Sequence, residues 1–397
     1  MGGVDLDAFS RLLAPEGQGL LAVLADYRVE EEIGWATRLR REHEAGLVAA
    51  ALTQARLRQR ARVKFGADAG RMYFTANGVE QSTRAEVAAH RAERIAGAGV
   101  RTAADLCCGI GGDALALARA GVRVTAVDMD PLTCAVAEAN AAALGVADLV
   151  EVRCGDVAHA DVSGVDAAFL DPGRRTARGR VFDPEAYSPP LSFLDVLAAK
   201  VPCGAAKVAP GIPHEAVPKG MAAEWVSYGG DVKEAVLWWG PFAERPLQAT
   251  LLPGGAVLAA DRARQAPDGP VGRYLYEPDG AVIRAHLVAE VAEEVGGRLV
   301  DPTIAYITAD TLTPTAFATA YELTDVLPFN LKRLKAIVRE RGIGALTVKK
   351  RGSAVEPEEV RRKVKPSGPA SATVFLTRVA GAPTMLLGHP LKAAQPM

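Results

Sequence analysis

Residues Arg101 to Asp130 read RTAADLCCGIGGDALALARAGVRVTAVDMD, and no other stretch limits the possible folds of this chain so strongly. A short apolar run ends in Asp105, a loop bearing Gly109, Gly111 and Gly112 follows, apolar residues recur at helical spacing, and a second apolar run closes on Asp128. The pattern predicts a strand, a glycine-rich loop, a helix and a strand ended by an acid. Such a unit suits a cofactor that carries a nucleoside. Glycines let the backbone come close to the ligand, and a carboxylate at the end of the next strand can accept hydrogen bonds from ribose hydroxyls.

The alternation continues downstream. Pro131 opens a helix to Leu144, Leu149 to Arg153 reads as a third strand before Gly155-Asp156, and Val165 to Leu170 as a fourth before Asp171-Pro172-Gly173-Arg174-Arg175. A helix over Leu191 to Lys200 precedes a fifth strand, Ala205 to Ala209, with further strand candidates at Ala223 to Ser227 and Glu234 to Trp239. Strands alternating with helices imply a parallel sheet whose ligands sit at the carboxyl ends of its strands, where each of these acids falls.

A chain of 397 residues exceeds one core, and three domains are expected: 1–97 helical, 98–243 carrying the sheet, and 244–397 of α+β type. In the first, apolar positions such as Leu20, Leu21 and Leu24 follow helical spacing, and Arg56, Arg58, Arg60, Arg62 and Lys64 form either a phosphate-facing edge or a solvated helix face. Met72 to Thr75 reads as extended, Asn77-Gly78 as a turn, and Ser82 or Thr83 as the cap of a helix. Glu80, Gln81 and Ser82 are placed either to touch a cofactor or merely to start that helix. In the last domain a hairpin is expected at Pro253-Gly254-Gly255, followed by strands and helices in smaller units. Five cysteines with no CxxC spacing signal neither a disulfide framework nor a metal site, and no apolar run reaches membrane-spanning length. A cytoplasmic protein without a membrane partner is expected.

For the ligand, a dinucleotide competes with S-adenosylmethionine (SAM), since Gly109 to Ala114 fits GxGxxG/A and Asp128 lies 19 residues after Gly109. Asp105 favours SAM: a carboxylate there meets a cationic amino-acid end but repels a pyrophosphate. The run DLCCGIGGDALALA with VTAVDMDPLTCAVAEANAAALGV resembles motifs I and II of class I SAM-dependent methyltransferases, especially the DxFCGxGGN form of trimethylguanosine synthases and related RNA-modifying enzymes. More widely, EQSTRAEVAAHRAER, DPGRR, YLYEPDGAVIRAHL and LPFNLKRLKAIVRERGIGALTVKKRG make the chain similar to bacterial methyltransferases that end in a THUMP-like domain. The resemblance implies an α/β fold: a Rossmann-like class I methyltransferase sheet with an N-terminal helical domain and a C-terminal α+β, THUMP-like domain. It also implies that Asp105, Cys107, Gly109 and Gly111 surround the methionine end of SAM, that Asp128 holds the ribose and that Asp156 faces the adenine. Cys107 stands where many members carry glycine.

The acceptor is expected at Asp171, Pro172 and Arg174, where amino-group methyltransferases of this class have (D/N/S)PP(Y/F/W). Here the second proline is Gly173 and the aromatic is Arg174, whose plane can stack on a base or grip a phosphate; the bland alternative is a capped turn with solvated arginines. Lys207 is placed either to reach the acceptor or simply to snorkel from a strand end. Asn330 to Gly368 holds twelve Lys or Arg against four acids, and Lys332, Lys335 and Arg339, with Lys349, Lys350 and Arg351, form a candidate RNA-tracking surface, the alternative being a solvated basic face. The resulting expectation is a SAM-dependent methyltransferase acting on rRNA or tRNA by direct in-line transfer. Its rivals are a catalytically weak SAM-binding, RNA-binding module and a methyltransferase of small molecules or proteins. No metal is expected.

Overall fold

In the computed structural model, which describes residues 5–176, 179–180 and 183–391, Asp5 starts the first helix by accepting the Ala8 N–H at 2.8 Å. Helix α1 (Leu6–Leu13) is followed by α2 (Pro15–Val23), α3 (Glu32–Leu39) and α4 (Ala45–Phe65). The Glu44 carboxylate begins α4 by accepting the N–H groups of Gly46 and Leu47, and Gly66, at φ 54°, stops it. Two shorter helices, α5 (Ala76–Gln81) and α6 (Ala85–Gly97), lead to the sheet. Here two sequence expectations fail. Asn77-Gly78 lies inside α5 because Thr75 caps that helix, accepting the Gly78 N–H at 2.9 Å. The N-cap of α6 is Arg84, while the Ser82 hydroxyl turns back to the Gly78 carbonyl and Thr83 binds Lys207.

Strands β1 (Thr102–Leu106), β2 (Arg123–Asp128), β3 (Val150–Cys154) and β4 (Ala167–Leu170) come next, with α7 (Gly112–Arg119) after β1 and α8 (Pro131–Ala143) after β2. The two-residue strands β5 (Arg175–Thr176) and β6 (Gly179–Arg180), helix α9 (Phe193–Lys200) and β7 (Cys203–Val208) follow. Five of these strands run parallel in the order β7-β4-β1-β2-β3. Both faces are covered, so Ala103, Ala104, Val124, Ala126, Ala168 and Phe169 are all buried. The chain moves from β1 outward to β3 and then returns to β4 on the other side of β1. That reversal opens a crevice at the end of β1, where Asp105 leads into the glycine loop. The N-terminal helices share a core with this region: Leu20, Leu47, Val48 and Leu52 pack with Ile110 of the loop, Leu115 of α7 and Val136 of α8. Each fully buried leucine contributes about 1.5–3 kcal/mol.

The chain divides into two compact units. The first takes in the N-terminal helices and the five parallel strands, ending at Met221 and resuming over Val236–Ala243. The second takes Ala222–Ala235 and the chain from Glu244 onward, so the division passes within β9 (Asp231–Trp239). In the second unit β8 (Ala222–Tyr228) runs parallel to β10 (Leu247–Leu252), which forms the Pro253-Gly254-Gly255 hairpin with β11 (Ala256–Ala260). There follow β12 (Tyr274–Pro278), α10 (Gly280–Arg284), α11 (Val288–Glu294), β13 (Arg298–Asp301), β14 (Ile304–Ala309) and β15 (Ala318–Pro328). The remainder is α12 (Leu331–Glu340), β16 (Ile343–Lys350), α13 (Pro357–Val364), β17 (Ala370–Val379) and β18 (Ala382–Pro390). A seven-stranded sheet orders them β13-β14-β12-β15-β18-β17-β16. Side chains alternate between two cores, as a strand requires. Val374, Leu376, Met385 and Leu387 face Leu334 and Ile337 of α12, whereas Phe375 and Leu386 face Tyr306 and Tyr321. Among the described residues no helix is long and apolar enough to cross a membrane.

Candidate active site

The loop after β1 is built from left-handed backbone. Cys107, Gly109 and Gly111 have φ of 61°, 56° and 87°. Glycine adopts this conformation without strain, and Cys107 does so at a cost. A Cβ on Gly111 would also lie 3.4 Å from the Ala137 Cβ, so this glycine serves the close approach of α8 as well. Asp128, at the end of β2, closes the loop: its Oδ2 accepts the Gly109 N–H at 2.9 Å and its Oδ1 the Asp130 N–H at 3.1 Å. Each carboxylate oxygen keeps a further lone pair for a ligand hydroxyl.

Sequence reasoning missed the partner that braces the loop from below. Asn140, fully buried on α8, donates to the Ile110 carbonyl at 3.0 Å and the Tyr73 carbonyl at 3.1 Å, and accepts the Tyr73 N–H at 2.7 Å. Gln54 of α4 makes the matching pair with Phe74, at 2.7 and 3.0 Å. Two carboxamides thus supply the hydrogen bonds that the extended residues 72–74 would otherwise find in a sheet. A buried Asn or Gln between long helices is the only trace of this in the sequence.

Beneath the loop lies a cluster of buried charges. Asp105 is fully buried and neither oxygen has a well-formed hydrogen bond. Its pKa is raised well above the usual carboxylate range, first by burial and then by the charges of Asp113 and Asp171; the Ala114 amide and Arg91 offset this only in part. Arg91, itself buried, pairs with Asp113 at 2.6 Å and covers the Phe169 ring at 4.2 Å. Cys107 marks where the predicted acids meet: burial raises its thiol pKa, and the charges of Asp128, Asp171, Asp105 and Asp156 add to the rise. A thiol held this way stays protonated and is no nucleophile. Asp156 is exposed, and its carboxylate accepts the Ala158 N–H at 2.9 Å.

On the other side of β1, the Asp171 N–H binds the Leu106 carbonyl at 3.1 Å, which sets the start of the Asp-Pro-Gly-Arg turn beside the loop. Lys207 of β7, buried rather than snorkelling, donates to Asp171 at 2.7 Å and to the Thr83 hydroxyl at 2.9 Å. It is therefore engaged within the protein by these two side chains. Pro172 is buried, and Gly173 is pinned by reciprocal backbone bonds to Ser188 at 2.8 and 3.0 Å. Arg174 is half-buried, with its Nη1 buried and unpartnered. The Arg175 side chain lies outside the described residues.

The candidate RNA surface divides. Lys332, Lys335 and Arg339 are exposed on α12, whose N-cap is Asn330, bonded to the Arg333 N–H at 3.0 Å. In contrast, Lys349 pairs with Glu277, Lys350 with Glu356, and Arg351 donates to the Ala305 carbonyl and covers the Tyr306 ring. On the helix before the sheet, Lys64 donates to the carbonyls of Glu80 and Ser82 and Arg60 pairs with Glu80. Among the described residues no group of three or more His, Cys, Asp or Glu side chains could hold a metal ion.

Three family models match the chain: a domain of unknown function at residues 5–61, the RNA cap guanine-N2 methyltransferases at 100–191, and a THUMP domain-like model at 318–390. An uncharacterized S-adenosylmethionine-dependent methyltransferase of Mycobacterium tuberculosis, found in strains H37Rv and CDC 1551, is 34% identical over 341 residues, covering 81% of this chain and 90% of its own. The crystal structure of a provisionally assigned methyltransferase from Porphyromonas gingivalis W83 superposes with a TM-score of 0.72 at 20% identity, over 94% of this chain and 98% of that one. At that identity the likeness concerns the fold.

Proposed function

Because the chain belongs to the family of S-adenosylmethionine-dependent methyltransferases, we propose that its acceptor is RNA, either rRNA or tRNA, and that the methyl group passes to it by direct in-line transfer. The observation that carries this reading is the joining, in one chain, of a segment similar to RNA cap guanine-N2 methyltransferases with a THUMP-like segment. Functionally, residues 1–97 brace the loop, 98–243 hold the cofactor and 244–397 dock the substrate.

SAM supplies an electrophilic methyl group on a cationic sulfur. The residues present fit such a ligand. The buried Asp105 carboxyl lacks a good partner and suits a cationic amino group, and the left-handed turn of Cys107, Gly109 and Gly111 allows close backbone approach. Asp128 accepts from the ribose hydroxyls while holding Gly109, and Asp156 faces the adenine amino group. Asp171 and Pro172 set the edge against which the acceptor lies. An amine acceptor must aim its lone pair along the breaking sulfur–methyl bond, leaving S-adenosylhomocysteine, and shed one proton to water. With its charge met by Lys207 at 2.7 Å, Asp171 aligns the amine through a hydrogen bond rather than acting as a strong base. Arg174 stacks on the base or holds its phosphate, and Lys332, Lys335 and Arg339 track the strand.

A second reading, an RNA-binding protein that binds SAM with little turnover, draws on the same Lys207–Asp171 pair, which occupies the acceptor-side carboxylate. Incubation with methyl-labelled SAM and separated rRNA, tRNA, protein and small-molecule fractions tests both. Label in RNA is the expected result. SAM binding with no label in any fraction supports the second reading, and label confined to protein or small molecules overturns RNA as the acceptor.

A further inference from the structure

The five basic residues late in α4 fall on two sides of the helix, since positions four apart share a face and positions two apart do not. Arg56, Arg60 and Lys64 are engaged: Arg56 pairs with Glu32 at 3.4 Å, Arg60 with Glu80 at 3.5 Å, and Lys64 donates to two carbonyls at 2.7 Å. Arg58 and Arg62 make no ion pair among the described residues. They open instead, with Arg71, into a cavity of about 500 Å³ walled by α2, α4 and the segment 70–73. Among the described residues no carboxylate lines it, although the chain as a whole carries a formal net charge of -1.

Arg58 is held in readiness. Its Nε donates to the Met72 carbonyl at 2.9 Å and its guanidinium lies 5.1 Å from the centre of the Tyr73 ring. Burial lowers its pKa, Tyr73 offsets this only in part, and no carboxylate is among the groups that oppose it. A desolvated guanidinium without a counter-anion is costly to keep. Arg62 is exposed and has no side-chain partner among the described residues. Leu21, Leu24 and Ala55 form an apolar floor beside Tyr73. Guanidinium forks match phosphate oxygens two at a time, and a volume of this size falls within the range of small-molecule sites.

We infer that this cavity binds a phosphate-bearing nucleotide unit, with the phosphate between Arg58, Arg62 and Arg71 and the planar group on the apolar floor beside Tyr73. Two sources share that chemistry: one residue of an RNA strand, in which case the inference rests on the RNA reading above, or a free nucleotide.

The test uses the full chain and the variants Arg62→Gln, Arg71→Gln and both together. Anisotropy of a fluorescein-labelled single-stranded oligoribonucleotide probes the strand, and calorimetry with AMP probes the free nucleotide. Arg71 also donates to the Ala143 carbonyl, so the Arg62→Gln variant guards against a loss that is merely structural. The double variant should weaken one ligand about tenfold. If the ligand is the strand, its salt dependence should fall by about 0.7 in slope for each arginine removed. Loss confined to the oligoribonucleotide assigns the site to the strand, and loss of AMP assigns it to a free nucleotide. Unchanged affinity for both, with an unaltered thermal midpoint, overturns the inference. If AMP binding needs Arg62 while no label reaches RNA, the site stands and the RNA acceptor falls. If RNA is labelled and every variant binds both probes normally, the site alone falls.

Discussion

Asp128 and Asp171 end strands on the two sides of β1, and the protein holds them in opposite ways. Asp128 is gripped by the N–H groups of Gly109 and Asp130, at 2.9 and 3.1 Å. Asp171 is gripped by the Lys207 ammonium at 2.7 Å. Peptide N–H groups fix a carboxylate in place and leave its charge intact, whereas an ammonium cancels it. On the proposed cofactor side Asp128 therefore keeps lone pairs to spare, and on the proposed acceptor side the Asp171 carboxylate is compensated by a neighbouring cation. The difference teaches that position on the sheet edge decides what a residue can touch, while its means of support decides what it can do there.

The largest effect should follow from removing the ammonium. Lys207→Met leaves the Asp171 carboxylate and the Thr83 hydroxyl without their partner. Breaking a buried pair this way costs about 3–5 kcal/mol. Since the Asp171 side chain is 22% exposed, the low end, about 3 kcal/mol, is expected from chemical denaturation. Adding Asp171→Asn should recover most of it. A single variant as stable as the wild type would erase the contrast between the two aspartates.

Next in size is the cofactor side. Asp128→Ala removes the proposed ribose acceptor and unties Gly109 together, and hydrogen bonds to a charged group are worth about 1.5–3 kcal/mol. SAM affinity measured by calorimetry should fall about a hundredfold, and about tenfold in Asp128→Asn, which keeps one acceptor oxygen. Equal, small losses in the two variants would mean that the carboxylate's charge is not used.

The smallest effect concerns Asp105, which the Ala114 amide and Arg91 support only in part. Its folded pKa is raised, so the folded cofactor-free protein retains a proton that the unfolded chain releases in the ordinary carboxylate range. Its stabilising contribution is complete below that range and is lost as pH rises toward the raised pKa, at no more than about 1.4 kcal/mol per pH unit. Denaturation of wild type and Asp105→Asn across that window should show the wild type alone losing this contribution. Parallel pH profiles would place Asp105 with the ordinary surface acids.

The strand, loop, helix and strand around the glycines were legible in the sequence because their signals are local. A strand, a turn that only glycine enters freely, a helix and a closing acid fall within thirty positions, and β1, β2, α7 and α8 lie where that pattern puts them. The edge at Asp171 depends on pairs remote in sequence. Lys207 is 36 positions from Asp171 and 124 from Thr83, and no local pattern joins them. Strand β15 escaped for another reason. ATAYELTDVLP mixes polar and apolar residues, and its pairing with β12 and β18 on either side makes it a central strand regardless. The helix α5 was hidden by Asn77-Gly78, a turn signal overruled by the Thr75 cap and by Gly78 packing on Ile110, where a Cβ would lie 2.5 Å from the Cγ2. Two members of the expected basic surface are engaged within the protein, Lys349 by Glu277, 72 positions away, and Lys350 by Glu356, six positions away and one of the segment's own acids.

The paired carboxamides of Gln54 and Asn140 bear on how such a protein can be shortened. A catalytic fragment begun near residue 98 would strand Asn140 with an amide facing solvent where Tyr73 had been, and would strip Ile110, Leu115 and Val136 of the helices that cover them. Deletion or domain exchange at that boundary would thus cut through the foundation of the glycine loop. The N-terminal helices and the loop share one core, and a transplant of this enzyme's chemistry into another chain must carry them along.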